Sequence, residues 1–385
     1  MSKISETYFK ESPHEQSVIK KLIVVKYFKA WANVMKSNII RYNRGSKLAY
    51  FDLFCGPGKH DTGEIAAPLE IMEHILYEEF LRERCITLFN DCNETYIDQL
   101  KSNIESLENY DLLKNEPLYQ SLEVNDSFFE QVKDSTIIPS LSFIDPFGYC
   151  GVSVDLLNFL IRSFGCDIIL FFNYNDINRG LTNLSVKDRM ESIFTPELHE
   201  KLCKKLNNIS NPQERERLII NYFTKAMRSK YNKENPRSKK KIYVFSFRFQ
   251  FEKKNRTSHY VFFISKDILA VKIMKEIMWG LDNNKTNNIA SFEFIPNNVQ
   301  ESFLDMIDPK YDELKEMLLT DYSGSTAVVK EIIDIYVETI YIGKNIKKAL
   351  LELEQENIIQ VIAGRSRKNT MPDDAVIEFR KKRVS

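Results

Sequence analysis

Two short runs in this sequence place residue types at spacings that do chemistry. Tyr50 to Gly58 reads YFDLFCGPG, in which Asp52, Phe54, Gly56 and Gly58 form the pattern D-x-F-x-G-x-G. The apolar start reads as a strand and the glycines as a tight turn. Glycines lack the Cβ atoms that would keep the backbone away from a nucleoside-type ligand. A carboxylate just before the turn faces a polar or cationic group. The acid precedes the turn here, whereas a nicotinamide-binding loop reads G-x-G-x-x-G with its acid about 20 residues later. An ordinary glycine turn, with Asp52 as a helix cap, satisfies the same letters. The second run is FIDPFG, residues 143–148. Asp145 and the Pro146 carbonyl supply hydrogen-bond acceptors for an amino group, and Phe147 supplies a ring to stack on a base. Its plain alternative is an Asp-Pro turn ending a strand, with Phe147 in the core.

The elements that must position these runs follow from periodicity. Residues 17–37 carry Val18, Leu22, Val25, Phe28, Ala32, Val34 and Met35 at helical spacing, with Lys20, Lys21, Lys26 and Lys29 on the wet side. Strands are expected at 47–54, 86–89, 118–124, 141–144 and 167–172, with helices at 68–84, 94–107 and 153–164 between them. Each strand ends on polar residues: Asp52, Asn90-Asp91, Asn125-Asp126, Asp145 and Asn173. Alternation of this kind predicts a doubly wound parallel α/β sheet, and ligands of such sheets bind beyond the carboxyl ends of the strands. Asn90 or Asp91 then meets ribose hydroxyls, and Asn125 and Asp126 meet an adenine amino group or make an Asx turn. Asn173, Asn175 and Asp176 contact substrate at the same rim or cap the next helix. Residues 180–236 read as a polar helical insertion, and 241–251 with 258–265 as a terminal β-hairpin.

Domain boundaries are expected at 1–285 and 309–385, with a linker at 286–308. The last segment reads as helices at 310–319, 325–338 and 343–356, then strands at 358–362 and 375–379, which is the winged-helix pattern. Lys344, Lys347 and Lys348 on its third helix and Arg365, Arg367 and Lys368 on its wing are candidate nucleic-acid contacts. Further basic residues lie in RSKKK (237–241) and at Lys253, Lys254 and Arg256. Acidic residues beside the winged-helix cations equally suit a solvated or protein-binding face.

Across 385 residues the formal charge is zero, so any basic surface is local, and 43% hydrophobic residues allow full cores. Six cysteines include no C-x-x-C pair, which argues against zinc and iron–sulfur sites. Cys55 reads as a small filler and His60 as a solvated loop histidine. No apolar run approaches the ~18 residues of a membrane span. A reducing cytoplasm is the expected compartment.

An acid ahead of the glycine turn and a terminal hairpin are the arrangement of S-adenosylmethionine (SAM) methyltransferases, in which a carboxylate helps hold the cationic methionine tail. FIDPFG is close to the D/N-P-P-Y/F loop of amino-group methyltransferases, without its second proline. Three stretches, KLIVVKYFKAW (21–31), YFDLFCGPG with GEIAAPL (63–69), and FIDPFGYCGVS (143–153), resemble the three-Cys-motif partner (TcmP) family. HYVFFISKDILAVKIMKEIMW (259–279) and the C-terminal segment extend the likeness over nearly the whole chain. The resemblance implies a class I SAM-dependent methyltransferase fold, Rossmann-like, with a C-terminal winged helix. It implies a radical-SAM-like partner protein bearing a three-cysteine motif. By motif match, Asp52, Gly56 and Gly58 become the cofactor loop and Asp145-Pro146-Phe147 the D-P-F motif. The expected function is SAM-dependent methylation of nucleic acid. A non-catalytic nucleotide- or SAM-binding scaffold is the alternative. A metal nuclease built on Asp52, Asp61 and Glu64 is a minor one.

Overall fold

The structure is a computed structural model that describes residues 15–42, 47–238, 240–251, 256–283, 292–294 and 309–380. Lys239, Lys253, Lys254 and most of the 286–308 linker lie outside the described residues. The chain divides into two units, Met1–Met274 and Lys275–Ser385.

In the first unit, helix α1 (Glu15–Tyr42) precedes strand β1 (Leu48–Asp52). Then come α2 (Ala67–Tyr77), α3 (Glu79–Arg84), β2 (Cys85–Asn90), α4 (Glu94–Glu105), β3 (Leu118–Gln120), α5 (Asp126–Val132) and β4 (Ser140–Ile144). Helix α6 (Val154–Ile161) and β5 (Asp167–Phe172) complete the parallel part. The insertion is four helices, α7 (Tyr174–Gly180), α8 (Lys187–Phe194), α9 (Pro196–Leu206) and α10 (Pro212–Glu234). The hairpin is β6 (Tyr243–Gln250) with β7 (Thr257–Ser265), and α11 (Ile268–Leu281) follows. Strand order over this unit is β3-β2-β1-β4-β5-β7-β6. β1 to β5 are parallel, and β7 runs antiparallel to both β5 and β6.

β1, β4 and β5 are covered on both faces, so they read as continuous apolar runs rather than alternating ones. One face packs on α1, where the Phe28 and Tyr50 rings meet edge to face at 5.5 Å. The other face takes the insertion: Phe223 of α10 lies 4.9 Å from Phe172 and 4.7 Å from Phe262. That packing makes the polar-looking insertion part of the core.

Tyr27 of α1 donates a 2.7 Å hydrogen bond to Asp167 Oδ2 at the start of β5, and both are buried. Burial pushes the Asp167 carboxyl up to about 6, while its hydrogen bonds from Ser265 and Tyr27 pull it down. Tyr27→Phe is expected to destabilise the first unit by ~1–2 kcal/mol. The loss should be larger at pH 8, where Asp167 must hold its charge without the donor, than at pH 5, where it carries its proton. Urea unfolding at the two pH values measures this.

Three local expectations need correction. Residues 68–84 break at Glu78 into two helices, because Glu78 takes an extended backbone. The third strand stops at Gln120, so Asn125 and Asp126 open helix α5 instead of ending a strand. In the winged unit, 325–338 is a short strand, a helix and a 3₁₀ turn. That unit runs α12 (Pro309–Tyr322), β8 (Thr326–Val328), α13 (Val329–Ile335), α14 (Gly343–Gln355), β9 (Ile359–Ala363) and β10 (Val376–Phe379). The β-branched Thr326 and Val328 pair with β10, which completes the three-stranded sheet β9-β10-β8. Its core gathers Leu314, Leu318, Ile332, Ile346, Leu350 and Phe379. Among the described residues, no helix is long and apolar enough to cross a membrane.

Candidate functional site

Parallel register brings the strand ends to one rim. Asp52 sits level with Phe89 of β2 and Phe143 of β4, and Asn90 level with Gln120. A cavity of about 270 Å³ opens there, lined by Asp52, Phe54 and Cys55 after β1, by Phe143 and Asp145 of the β4 end, and by Ser17, Lys20 and Lys21 of α1. His60 and the 64–68 segment close its other side.

Asp52 is fully buried. Tyr50 Oη donates to its Oδ2 at 3.2 Å and the Phe54 amide to its Oδ1 at 3.3 Å. Burial pushes its carboxyl up to about 8; those two hydrogen bonds oppose the rise, while Asp145 and Asp91 add to it. A buried carboxyl of this kind, walled by a cavity, is poised to ionise when a cation arrives. Cys55, also buried, has its thiol pushed up by burial and by Asp52, so it is no nucleophile at neutral pH.

The glycine turn does two separate jobs. Gly56 has φ 61° and donates its amide to Asp91 Oδ2 at 3.1 Å. Gly58 has φ 79°, and a Cβ there would lie 2.5 Å from Leu100 Cδ1 and 3.2 Å from Leu69 Cγ. Gly58 thus lets two helices approach the turn, and its missing Cβ makes room for them. The following loop folds back on itself, with the His60 amide on Glu64 O at 2.9 Å and the Ala66 amide on Gly58 O at 2.8 Å. This closure buries His60 in the cavity wall, where sequence reading expects a solvated loop residue.

Asn90 is buried and spent on the backbone: its Nδ2 donates to Leu53 O and Leu122 O, and its Oδ1 accepts from the Leu122 amide. Asp91 next to it accepts from Gly56 and Asn93 amides, which aim its carboxylate. Burial raises its pKa against those bonds. Asn125 caps α5 through the Phe128 amide at 3.0 Å. With Asp126 it lines a separate cavity of about 140 Å³ bounded by Tyr149 to Ser153 and by Asp188 and Arg189. The cavity at Asp52 is not lined by Asp91, Asn125 or Asp126.

Asp145 is half-buried, Pro146 buried and Phe147 44% exposed. Lys20 Nζ lies 3.6 Å from Asp145 Oδ1 and 4.1 Å over the Phe171 ring. Burial raises the Asp145 pKa while Lys20 pulls it down. Periodicity puts Lys20 on the wet face of α1; instead Lys20 lines the cavity, and Val18, expected on the apolar face, is exposed. Nothing in the local pattern distinguishes Lys20 from Lys26, which is exposed. Asn173 caps α7, Asn175 Nδ2 holds the Thr257 and Ser258 carbonyls, and Asp176 pairs with Arg179.

In the winged unit the candidate cations face acids. Lys344 pairs with Glu276 at 3.5 Å, Lys347 with Asp373 at 2.6 Å and Lys348 with Glu352 at 3.9 Å. Arg365 grips Glu354 with both guanidinium nitrogens, at 2.5 and 2.7 Å. Arg367 and Lys368 are exposed on the wing. Ten Lys and Arg face thirteen Asp and Glu over residues 309–380. Buried Lys275 donates to the Val337, Thr339 and Tyr341 carbonyls at 3.0, 2.8 and 2.7 Å. Among the described residues, no three His, Cys, Asp or Glu side chains converge as a metal site.

Parallel strands in the order 3-2-1-4-5, an antiparallel closing hairpin and a glycine turn after the first strand define a class I methyltransferase-type α/β fold, here followed by a winged helix. A family model described as a GMT-like wHTH domain matches residues 282–363. No curated protein matches the chain in sequence. Several solved structures are distantly similar, three of them as follows. Plantazolicin methyltransferase BpumL, in complex with a triazolic desmethylPZN analog and S-adenosylhomocysteine (SAH), is 12% identical, with TM-score 0.29 over 69% of this chain and 90% of that one. Magnesium protoporphyrin IX methyltransferase from Synechocystis with bound SAH is 10% identical, with TM-score 0.29 over 68% and 93%. An O-methyltransferase from Bacillus cereus in complex with SAH is 10% identical, with TM-score 0.27 over 68% and 97%. At these scores the likenesses decide nothing, and the fold class rests on strand order and the hairpin.

Proposed function

We propose that the chain is a SAM-dependent methyltransferase acting on nucleic acid. The observation that carries this is the buried Asp52 carboxyl at the end of β1, walled into a cavity it shares with Asp145. SAM supplies an electrophilic methyl group on a sulfonium and an ammonium tail. Asp52 suits the cationic end, and Asp91, aimed by two amides, suits ribose hydroxyls. Asp145, Pro146 and Phe147 are then the catalytic loop at the acceptor side, with the exposed Phe147 ring as a stacking surface. Asn125 and Asp126 are the adenine-side candidates. By the resemblance to the TcmP family, the expected partner is the three-cysteine-motif radical-SAM-like protein, and the expected compartment is the cytoplasm.

Calorimetric titration with SAM and SAH tests the cofactor. Micromolar binding supports the reading; a folded protein that binds neither ends it. A scaffold or sensor role gains from the separation of Asp91, Asn125 and Asp126 from the Asp52 cavity. Tight SAM binding without transfer to any nucleic acid would favour that role.

Within this reading, phosphate contact falls first to Arg367 and Lys368, since each of Lys344, Lys347 and Lys348 has an acid within 4 Å. The double variant Arg367→Ala/Lys368→Ala is expected to reduce the salt slope of duplex binding by about two. Lys347→Ala/Lys348→Ala should leave the slope within about half a unit. Fluorescence anisotropy across a salt series reads both.

A further inference from the structure

The Lys20–Asp145 pair bears on which atom receives the methyl group. An amino acceptor donates its own protons and attacks through nitrogen, so it needs hydrogen-bond acceptors around it. An ammonium at the same carboxylate competes with those protons and repels the positive charge that builds on nitrogen. A hydroxyl acceptor has the opposite needs. It requires a base for one proton and a cation beside the oxygen as negative charge develops there. A lysine 3.6 Å from a carboxylate, both lining one cavity, meets both needs.

We infer that the acceptor is a hydroxyl group, with Asp145 taking its proton and Lys20 facing its oxygen. This rests on the methyl-transfer reading and replaces the amine that the D-P-F letters alone suggest. An oxygen lone pair forms the new bond to the methyl carbon. The carbon–sulfur bond breaks with its electron pair left on sulfur, and the hydroxyl proton passes to Asp145.

The surroundings fit this division of roles. The Phe171 ring under Lys20 offers its negative face and no proton acceptor, so the ammonium is steered by Asp145. Lys21 also lines the cavity, but its ammonium is held by Glu70 at 3.2 Å and by Ile65 O at 3.2 Å. Asp52 and Glu64 also line this cavity, and Asp91 acts on Asp52 from beside it. His259 of β7 is held neutral by burial and by Lys20, with Nδ1 2.9 Å from Ser258 Oγ. It therefore adds no positive charge beside the acceptor at neutral pH.

The test has three arms. SAM calorimetry on the full chain checks the underlying reading. Carbon-13 titration of the Asp145 carboxyl, assigned with Asp145→Asn, checks the pair without any turnover. Lys20→Met should raise its midpoint by roughly one to two pH units, and Lys20→Arg should restore it. An unmoved midpoint overturns the assignment. Transfer of labelled methyl to RNA, to DNA of the same sequence and to a protein mixture then identifies the atom by mass spectrometry. On the nucleic-acid reading a hydroxyl acceptor predicts ribose O-methylation on RNA, with none on DNA, and at least a tenfold loss in Lys20→Met; label on protein alone overturns it. Label on a base nitrogen overturns the inference, as does no label on any arm while SAM binds. A shifted Asp145 midpoint in a protein that does not bind SAM would fail the methyl-transfer reading and leave the pair standing.

Discussion

Asp52→Asn is expected to weaken SAM binding on the order of 100-fold, the loss of one charge-assisted contact of about 2–3 kcal/mol. The same change should make the empty protein more stable at pH 8. The parent carboxyl keeps its proton in the folded state up to a pKa of about 8, whereas the unfolded chain releases it near 4. Between those values the unfolded state binds fewer protons, so this group lowers stability as pH rises, by about 1.4 kcal/mol per unit at most. Asparagine removes the titration. The melting temperatures of parent and variant should therefore converge near pH 4 and separate in favour of the variant toward pH 8. Binding carries the same signature. A cationic ligand needs Asp52 ionised, so affinity should climb by up to about tenfold per pH unit below 8 and level off above it. Calorimetry in buffers of different ionisation enthalpy should register proton release. A flat affinity profile from pH 6 to 9 would remove Asp52 from the cofactor site.

Gly151→Ala is expected to destabilise the first unit by about 3 kcal/mol and to disturb the cavity at the same time. Gly151 has φ 78°, and a Cβ there would lie 2.7 Å from the Val124 carbonyl oxygen, 2.9 Å from Phe54 Cζ and 3.0 Å from Val124 Cβ. The carbonyl is backbone and cannot swing aside, so the loop after Asp145 must lift or Phe54 must shift. Phe54 lines the Asp52 cavity, so SAM affinity should fall with stability. Gly63→Ala separates backbone strain from crowding. Gly63 has φ 91° but nothing within 4 Å of its Cβ position, so its cost should stay near 1 kcal/mol. Chemical denaturation of both variants decides this. Equal losses would mean that crowding at Gly151 contributes nothing.

The alternation of short apolar runs and amphipathic stretches carried the architecture, because period and polarity are local properties. β1, β4 and β5 fall where apolar runs end in Asp52, Asp145 and Asn173. The winged helix was legible for the same reason, apart from Thr326–Val328, whose strand exists only through pairing with β10. Helix α5 shows the limit of strand-end reading. Asn125 and Asp126 carry the letters of a strand-end rim, but the ladder stops at Gln120 where pairing with Asn90 stops.

The sequence by itself determined the sheet class, the terminal hairpin, the glycine turn behind Asp52 and the Asp-Pro-Phe loop, since each is written in local runs of apolar, polar and glycine residues. Tertiary structure alone decided which of these groups meet. Lys20 reaches Asp145 across more than a hundred residues because α1 crosses the strand ends. His60 enters the cavity wall because its loop closes on Glu64. Asn90 holds backbone groups, and Lys347 and Arg365 hold nearby acids, because a side chain meets whatever partner folding brings within reach. Local pattern names the groups that can act, while long-range packing sets their charge, burial and partners.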